Sequence, residues 1–252
     1  MDLLRCLLRR QWVMLKFVLG NAVRLLHKNA RYYSLLNKGV EKVAKQNLTF
    51  LKQCGINACG IARGSTMYSS RLLTMKPMYL REVVARVEEF GLDRSSRMFH
   101  HGLIAVGLIS KETAARKIQL LEELGFSRDD LLVIIRKGPN VMALSEEKIR
   151  RTVEFLKTDV GLEERYIAQR PALLLYSFER RLLPRHYLIK VIRTKGLLNC
   201  EFDYYSLASM SEKDFLQRFV DPYKGRIPGL ADAYASSCSG EAANGVASLL
   251  GL

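Results

Sequence analysis

The side chains best suited to chemistry in this sequence are its lysines and arginines. The chain carries 40 of them against 25 aspartates and glutamates, a formal net charge of +15 over 252 residues. The excess is concentrated in residues 1–81, where 15 basic residues face only Asp2 and Glu41. Such an asymmetric distribution favours a polyanionic partner, either nucleic acid or an anionic membrane surface. A solubilising surface or an organelle-targeting segment is the alternative for the most basic part.

The most one-sided stripe of charge belongs to the first predicted long helix. Its outer face carries Lys38, Lys42, Lys45 and Lys52 with a single acid, Glu41. Like charges without counter-charges destabilise a helix, which favours a partner that neutralises them. A solvated helix face is the alternative interpretation.

Basic residues at outward positions of the longer helices are the candidate contacts to nucleic acid. Their cations would replace counterions condensed on the phosphate backbone, so that binding would weaken with salt. We predict ten such residues: Lys42, Lys45, Arg81, Arg86, Arg116, Lys117, Arg150, Arg151, Arg181 and Arg185. The sequence contains no RNP aromatics, zinc knuckle or helix-turn-helix signature, so it predicts no particular mode of base reading.

Signatures of catalysis and of metal binding are missing from the sequence. It has no phosphate-binding loop and no GxSxG, HExxH or DxDxDG motif, which predicts a protein that is not an enzyme and needs no cofactor. Its five cysteines form no CxxC pair and are interpreted as reduced thiols. His100 and His101 have no acidic or cysteine partner at ligand spacing, which favours a packing role. No run of 18 apolar residues occurs, so the sequence predicts no transmembrane helix. The expected partners include neither a membrane nor a small-molecule substrate.

A glycine ends each apolar helical stretch at a nearly constant interval, and this period would position the basic residues. The spacings are 35, 36, 34, 36 and 35 residues between Gly20, Gly55, Gly91, Gly125, Gly161 and Gly196. An apolar residue usually follows each glycine, and another lies about four residues before it. Glycine suits the end of a helix because it becomes left-handed without a Cβ clash. We therefore predict an array of helical repeats of about 35 residues.

Capping residues and prolines set the predicted helix boundaries within the repeats. Ser127, with Asp130 three residues later, forms a capping-box pattern. Ser145 precedes two acids at the start of a longer helix, where they face the positive end of the dipole. Pro77 is expected to open one long helix, and Pro139 to stop a short one.

The repeats divide the chain into three predicted parts. Residues 1–19 are interpreted as a partial repeat or as the remnant of a targeting-like helix, and 20–234 as the repeat array. In the first full repeat, Ala22–Lys28 is predicted as a short helix and Gly39–Cys54 as a long one. Residues 235–252 are small and polar and are predicted to be a disordered tail.

Three segments of the clearest repeat are specific in combination: Tyr166–Leu174, Tyr176-Ser177 with Arg180-Arg181-Leu182, and Lys195–Leu198. They resemble the motif of the mitochondrial transcription termination factor (mTERF) family, in its plant branch. The resemblance implies an all-α fold, a right-handed α-solenoid curved into a half-doughnut. Each repeat would have two α-helices and a 3₁₀ turn, here Asn140–Leu144 and Ala172–Tyr176.

The same resemblance implies a function in organellar gene expression. It predicts a monomer that binds nucleic acid in mitochondria or chloroplasts through a basic concave groove, with double-stranded DNA favoured. The process would be transcription termination or its regulation. An organellar RNA-binding factor in splicing or RNA processing is the first alternative, and a helical-repeat scaffold for protein partners is the second.

Overall fold

The computed structural model describes residues 30–56, 71–107, 109–239 and 245–250. Every regular element within those ranges is helical, which confirms the predicted all-α class. The partial repeat at 1–19 and the short helix predicted over Ala22–Lys28 lie outside the described residues.

The first helix of the described residues spans 24 residues, and the other helices have 13 residues or fewer. The first six are α1 (Ala30–Gln53), α2 (Pro77–Glu89), α3 (Phe99–Gly107), α4 (Lys111–Glu123), α5 (Arg128–Lys137) and α6 (Glu146–Thr158). The next six are α7 (Glu164–Gln169), α8 (Ala172–Leu175), α9 (Leu183–Thr194), α10 (Tyr204–Ser209), α11 (Glu212–Phe215) and α12 (Leu230–Ser239). Between and after them come 3₁₀ turns at Pro139–Ala143 and Ala247–Leu250, and π-helical turns at Phe178–Leu182 and Leu216–Val220.

The described residues belong to two compact units. The first comprises the chain through Lys117 together with Gly138–Ala143, and the second comprises Ile118–Lys137 and the chain from Leu144 onward. Within the first unit, α3 packs against α2 and against the 3₁₀ turn at 139–143. Within the second, α7 packs against α5, and α12 packs against α9. Each unit therefore has its own apolar interior, formed by the inward faces of short helices.

Glycines end five of the predicted repeats in the left-handed conformation. The φ angles are +82° at Gly55, +74° at Gly91, +98° at Gly125, +81° at Gly161 and +69° at Gly196. After four of these glycines the next N–H bonds to the carbonyl oxygen five residues back, as from Ile56 to Leu51 at 3.0 Å. This is the Schellman arrangement, in which the residue after the glycine packs on the residue four before it. It explains the paired apolar positions of the sequence; Gly20 lies outside the described residues.

Side-chain hydrogen bonds confirm the predicted helix starts. The N–H of Asp130 donates to Ser127 Oγ, and the N–H of Ser127 donates to the Asp130 carboxylate, each at 3.2 Å. Ser145 Oγ accepts an N–H from the first turn of α6 at 3.2 Å. Pro77 is the first residue of α2, and Pro139 opens the 3₁₀ turn that follows α5. Local chemistry therefore fixes these boundaries.

Two predicted elements differ from the structure. The first long helix, predicted over Gly39–Cys54, is α1 and already begins at Ala30. Gly39 is accommodated inside it, because a single helical glycine costs only about 1 kcal/mol. The second predicted 3₁₀ turn, Ala172–Tyr176, is the α-helical turn α8, whereas the first is confirmed within one residue as Pro139–Ala143.

The described residues of the tail that was predicted to be disordered from residue 235 are mostly helical. Residues 235–239 continue α12, whose Tyr234 is only 2% exposed. Val246 is 1% exposed, and its N–H donates to Ser237 Oγ at 3.1 Å. The small residues of this segment permit close packing on α9, so that a composition typical of disorder forms part of the second unit.

Candidate nucleic-acid interface

Six of the ten predicted contact residues have exposed side chains on the long helices. They are Lys42 and Lys45 on α1, Arg81 on α2, Arg116 on α4, and Arg150 and Arg151 on α6. Each therefore presents a cation that a large polyanion can reach.

Three of the six share one position within the repeat. Lys45, Arg81 and Arg151 each lie ten residues before the glycine that ends their own repeat. Because the repeats have a common helical register, these side chains occupy equivalent places on α1, α2 and α6. The remaining described repeats have Ala115 and His186 at this place. An exposed basic residue thus recurs at one position of the long helix.

Lys45 and Arg81 lie at a groove between α1 and α2, within the first unit. The groove has a volume of about 720 Å³, and Phe50 and Met78 line it beside the two cations. The guanidinium of Arg81 lies 5.0 Å from the centroid of the Phe50 ring, in a cation–π contact. No carboxylate among the described residues forms an ion pair with Arg81. Within the described residues, Arg81 therefore contacts an aromatic ring and forms no ion pair.

Arg151 lies at a second groove, of about 440 Å³, between α6 and the turn that precedes α9. Its guanidinium is 4.2 Å from the centroid of the Phe178 ring and donates to Glu179 Oε1 at 2.6 Å. Both side chains of this ion pair are about half exposed, so it contributes at most about 1 kcal/mol. A phosphate can therefore replace Glu179 at little cost. Arg151 and Arg81 each lie over a phenylalanine ring, but Phe50 belongs to the preceding repeat and Phe178 to the following one.

Arg150 and Arg116 also contact residues of their surroundings. Arg150 forms an ion pair with Glu123 at 3.5 Å, with both side chains about half exposed. A guanidinium nitrogen of Arg116 donates to the Thr113 hydroxyl at 3.3 Å. An ion pair this exposed contributes at most about 1 kcal/mol, so it does not hold Arg150 against a phosphate.

Arg185, predicted to face outward, is buried in the second unit with an exposure of 1%. Its Nη1 donates to the carbonyl oxygens of Leu207 and Met210, each at 2.7 Å, and its Nη2 pairs with Glu212 at 2.7 Å. The guanidinium also lies 4.5 Å from the centroid of the Phe215 ring. This corrects its predicted orientation: Arg185 fastens the segment around α10 and α11 and is not presented to solvent.

Lys117 and Arg86 are likewise buried, which corrects their predicted outward orientation. Lys117 is 5% exposed, and its Nζ donates to the carbonyl oxygen of Met142 at 2.7 Å. Arg86 is 9% exposed and contacts Tyr79, with 3.4 Å between its Nη2 and the phenol oxygen. Both cations serve packing within the first unit.

Arg181 is half-buried, and its guanidinium is also engaged. Its Nε donates to the carbonyl oxygen of Ala208 at 2.7 Å, and its Nη2 to that of Met210 at 2.6 Å. The guanidinium stands 5.0 Å from the centroid of the Tyr176 ring. Its hydrogen-bonding capacity is directed to the backbone rather than to solvent.

These inward donors follow a pattern that the sequence interpretation missed. A polar side chain of a long helix donates to a backbone carbonyl near the turn of the following repeat. The donor and acceptor pairs are Asn47 with Leu73, Lys117 with Met142, Lys148 with Leu175, and Arg185 with Leu207. Such bonds satisfy carbonyl groups that a turn leaves without partners.

Helical register was the signal that could have identified the buried donors. Lys117 lies three residues after Ala114 and four before Leu121, and both neighbours are buried. Arg185 lies three residues after the buried Leu182 and three before the buried Leu188. A basic residue on the apolar stripe of a helix points inward, whatever its charge suggests.

The histidine pair and the acids form no further site in the part of the chain that the structure describes. No group of three His, Cys, Asp or Glu side chains in that part could hold a metal ion. His100 is half-buried in α3, and burial, with His101 beside it, lowers the pKa of its imidazole. None of the described helices is both long enough and apolar enough to cross a bilayer.

Most of the chain is similar in sequence to known proteins. A sequence model described as mTERF matches residues 21–216. Over 107 residues the chain is 28% identical to the Arabidopsis thaliana protein named transcription termination factor MTERF15, mitochondrial, covering 42% of this chain and 24% of that protein. Over 153 residues it is 22% identical to Arabidopsis thaliana transcription termination factor MTERF8, chloroplastic, covering 61% of this chain and 30% of that protein. The chain thus aligns with less than a third of each relative's length.

Proposed function

Because this chain belongs to the mTERF family, we propose that it binds nucleic acid and regulates organellar gene expression. Double-stranded DNA is the favoured polymer, and transcription termination or its regulation is the favoured process. The proposed role is binding by a monomer, through a basic concave groove, without catalysis.

The observation that carries this proposal is the recurring exposed cation on the long helices. Lys45, Arg81 and Arg151 occupy the same place in three repeats, two of them over a phenylalanine ring. A periodic row of cations suits a polymer with periodic phosphates, since each contact releases a condensed counterion. The remaining proposed contacts are Lys42, Arg116 and Arg150. Arg86, Lys117, Arg181 and Arg185 support the fold rather than the polymer.

The organelle is proposed from the relatives. The names of these relatives assign one to the mitochondrion and the other to the chloroplast. Both are named transcription termination factors, which supports transcription as the step that this chain regulates.

RNA is the second candidate polymer, for splicing or RNA processing. The guanidinium–phenylalanine pairs at Arg81 and Arg151 favour it, because bases of single-stranded RNA stack on aromatic rings and on arginine planes. Phosphate contacts alone would not distinguish the two polymers.

The test is a salt titration of binding to one sequence, prepared as duplex DNA, single-stranded DNA and RNA. Each phosphate contact on duplex DNA contributes about 0.9 to the slope of log affinity against log salt. We expect a slope of several units on the preferred polymer. Weak binding that is alike for all three polymers would refute the proposal and redirect attention to a protein partner.

A further inference from the structure

We propose that the groove between α1 and α2 binds an unpaired nucleotide, with its phosphate between Lys45 and Arg81 and its base against Phe50 and Met78. This subsite rests on the proposed function, since it assigns one part of the nucleic-acid surface to a nucleotide outside a duplex. The charge, the apolar surface and the size of the groove support it.

Each of the two helices contributes a basic side chain to the groove. Lys45 belongs to α1 and Arg81 to α2, and the described residues that line the space between them include no acid. The start of α2, at Pro77, also lies at the groove, has no side-chain cap and carries no acid in its first turn. The free N–H groups of such a helix start add positive potential to that of the two cations. One phosphate group therefore fits this charge.

The groove also offers a surface on which a flat group can stack. The Arg81 guanidinium lies 5.0 Å from the centroid of the half-buried Phe50 ring. Met78, beside them, exposes 71% of its surface. A thioether side chain is flexible and polarisable, so it can adapt to a planar ligand. Nucleobases stack on aromatic rings and guanidinium planes in single-strand binding proteins.

Amide side chains at the groove can read the edge of a base. Gln46 and Gln53 line it, are exposed, and each supply both a donor and an acceptor. The floor is rigid, because Asn47 Nδ2 donates to the carbonyl oxygens of Leu73 and Met75 at 3.0 and 2.8 Å. The positions of α1 and of the chain leading into α2 are thereby fixed.

The size of the groove fits one nucleotide. Its volume of about 720 Å³ lies within the range of roughly 300–1,000 Å³ that small-ligand sites occupy. A base within a duplex is stacked and paired, so only an unpaired nucleotide can place its base in the groove. An acidic peptide would match the charge but not the combination of stacked Arg81–Phe50 and amide side chains.

The experiment measures fluorescence anisotropy with a single strand, a blunt duplex and a duplex carrying a single-stranded overhang, all at one salt concentration. The proteins are the wild-type chain, Phe50→Leu and Met78→Ala, each checked for unchanged thermal unfolding. Phe50→Leu keeps apolar bulk but removes the ring. Lys52→Gln is the charge control, because Lys52 is exposed on α1 outside the groove. Free AMP and poly-glutamate serve as competitors.

We expect the wild-type chain to bind the strand and the overhang about tenfold more tightly than the blunt duplex. Met78→Ala should reduce that preference about fivefold or more without weakening blunt-duplex binding, and Phe50→Leu should reduce the preference at least as much. Lys52→Gln should leave the preference intact. If AMP displaces the single strand from the wild-type chain but not from Phe50→Leu, the groove also binds free nucleotides.

Equal affinity for the three polymers, unchanged in Phe50→Leu and Met78→Ala, would overturn the nucleotide site while leaving salt-dependent binding, and so the proposed function, in place. Displacement of the single strand by poly-glutamate as effectively as by oligonucleotide would assign the groove to an acidic peptide. Absence of salt-dependent binding to any polymer would overturn both the site and the proposed function.

Discussion

Lys157 Nζ donates a 2.9 Å hydrogen bond to the carbonyl oxygen of Leu124, the residue directly before the left-handed Gly125. The same ammonium pairs with Glu164, and this contact lowers the pKa of the Glu164 carboxyl. A helix end in one repeat is thus covered by side chains from the long helix and the short helix that follow it. The turn at Gly125 therefore ends its own helix and also contacts side chains of later helices.

Valine at Gly125 should therefore destabilise the fold more than valine at Gly161. At Gly161 a Cβ atom would meet nothing within 4 Å, so only the left-handed backbone opposes it, at about 1–2 kcal/mol or more for a β-branched residue. At Gly125 the Cβ would also lie 3.0 Å from Glu164 Oε1 and 3.3 Å from Lys157 Nζ. Urea unfolding should show a loss of a few kcal/mol at Gly125 that exceeds the loss at Gly161 by about 1 kcal/mol.

Gly39→Ala is the matched control for these two variants. Gly39 lies inside α1, and a Cβ there meets nothing within 4 Å. Alanine should stabilise the chain by about 0.5–1 kcal/mol, because glycine is a poor helix former. Equal losses at all three glycines would contradict the assignment of left-handed helix ends.

Charge reversal of Lys42 and Lys45 to glutamate should weaken binding to nucleic acid and flatten its salt dependence. Both lysines are exposed on α1, and each lost phosphate contact removes about 0.9 from the log–log slope on duplex DNA. The comparison is Lys213→Glu, which alters one exposed charge on α11 of the second unit. An unchanged slope in the double variant would remove the α1 stripe from the interface.

Arg185→Gln should lower stability, whereas Arg150→Gln should lower affinity. The first change leaves the carbonyl oxygens of Leu207 and Met210 without their donor in a buried site, at a cost of about 2–4 kcal/mol. The second removes a half-exposed cation whose ion pair contributes little. Chemical denaturation and binding titrations of both variants should separate the two roles. A loss of affinity without a loss of stability in Arg185→Gln would contradict its structural assignment.

Acidification from pH 7 to pH 5 should destabilise the second unit through His186. Burial lowers the pKa of this imidazole from 6.5 to about 4; Lys190 and Arg193 lower it too, and Asp159 raises it. The unfolded chain takes up a proton at His186 near pH 6.5, whereas the folded chain does so only near pH 4. The contribution of neutral His186 to the free energy of unfolding is therefore complete above pH 6.5 and is lost as the pH falls toward 4.

His186→Phe should remove about 2 kcal/mol of the stability difference between pH 7 and pH 5, measured by urea unfolding at both values. A phenyl ring can occupy the same place, since the His186 ring already contacts Phe155 edge to face at a centroid distance of 5.3 Å. His101→Gln, a change at an exposed position of α3, is the control. Identical pH dependence in the wild type and His186→Phe would assign the acid sensitivity to other groups.

Features set by neighbouring residues were predictable from the sequence. The glycine turns at Gly55 and Gly125, the capping box at Ser127 and the start of α2 at Pro77 depend on interactions within one turn of helix. The tail was not predictable, because its small residues pack on α9, which lies far away in the sequence. Contacts between residues so far apart in the chain produce no pattern in the sequence around either residue.

The candidate site was predictable in its residue types but not in their orientation. Charge alone identified Arg81 and Arg151 as well as Arg185, and only packing distinguishes the exposed arginines from the buried one. The phenylalanines beneath Arg81 and Arg151 were also missed, because each comes from a neighbouring repeat and the sequence gives no spacing that links ring to guanidinium.

The bonds from Asn47, Lys117, Lys148 and Arg185 to the turn of the following repeat determine where the chain can be recombined. A cut at a glycine would separate each donor from its acceptor, although the glycines look like natural boundaries. A segment that can be exchanged between such proteins would begin at the donor residue of one long helix and end after the turn that holds its acceptor carbonyl. Each junction would then keep a hydrogen-bond donor together with its own acceptor. Chimeras joined at the glycines should need the donor transplanted along with the turn.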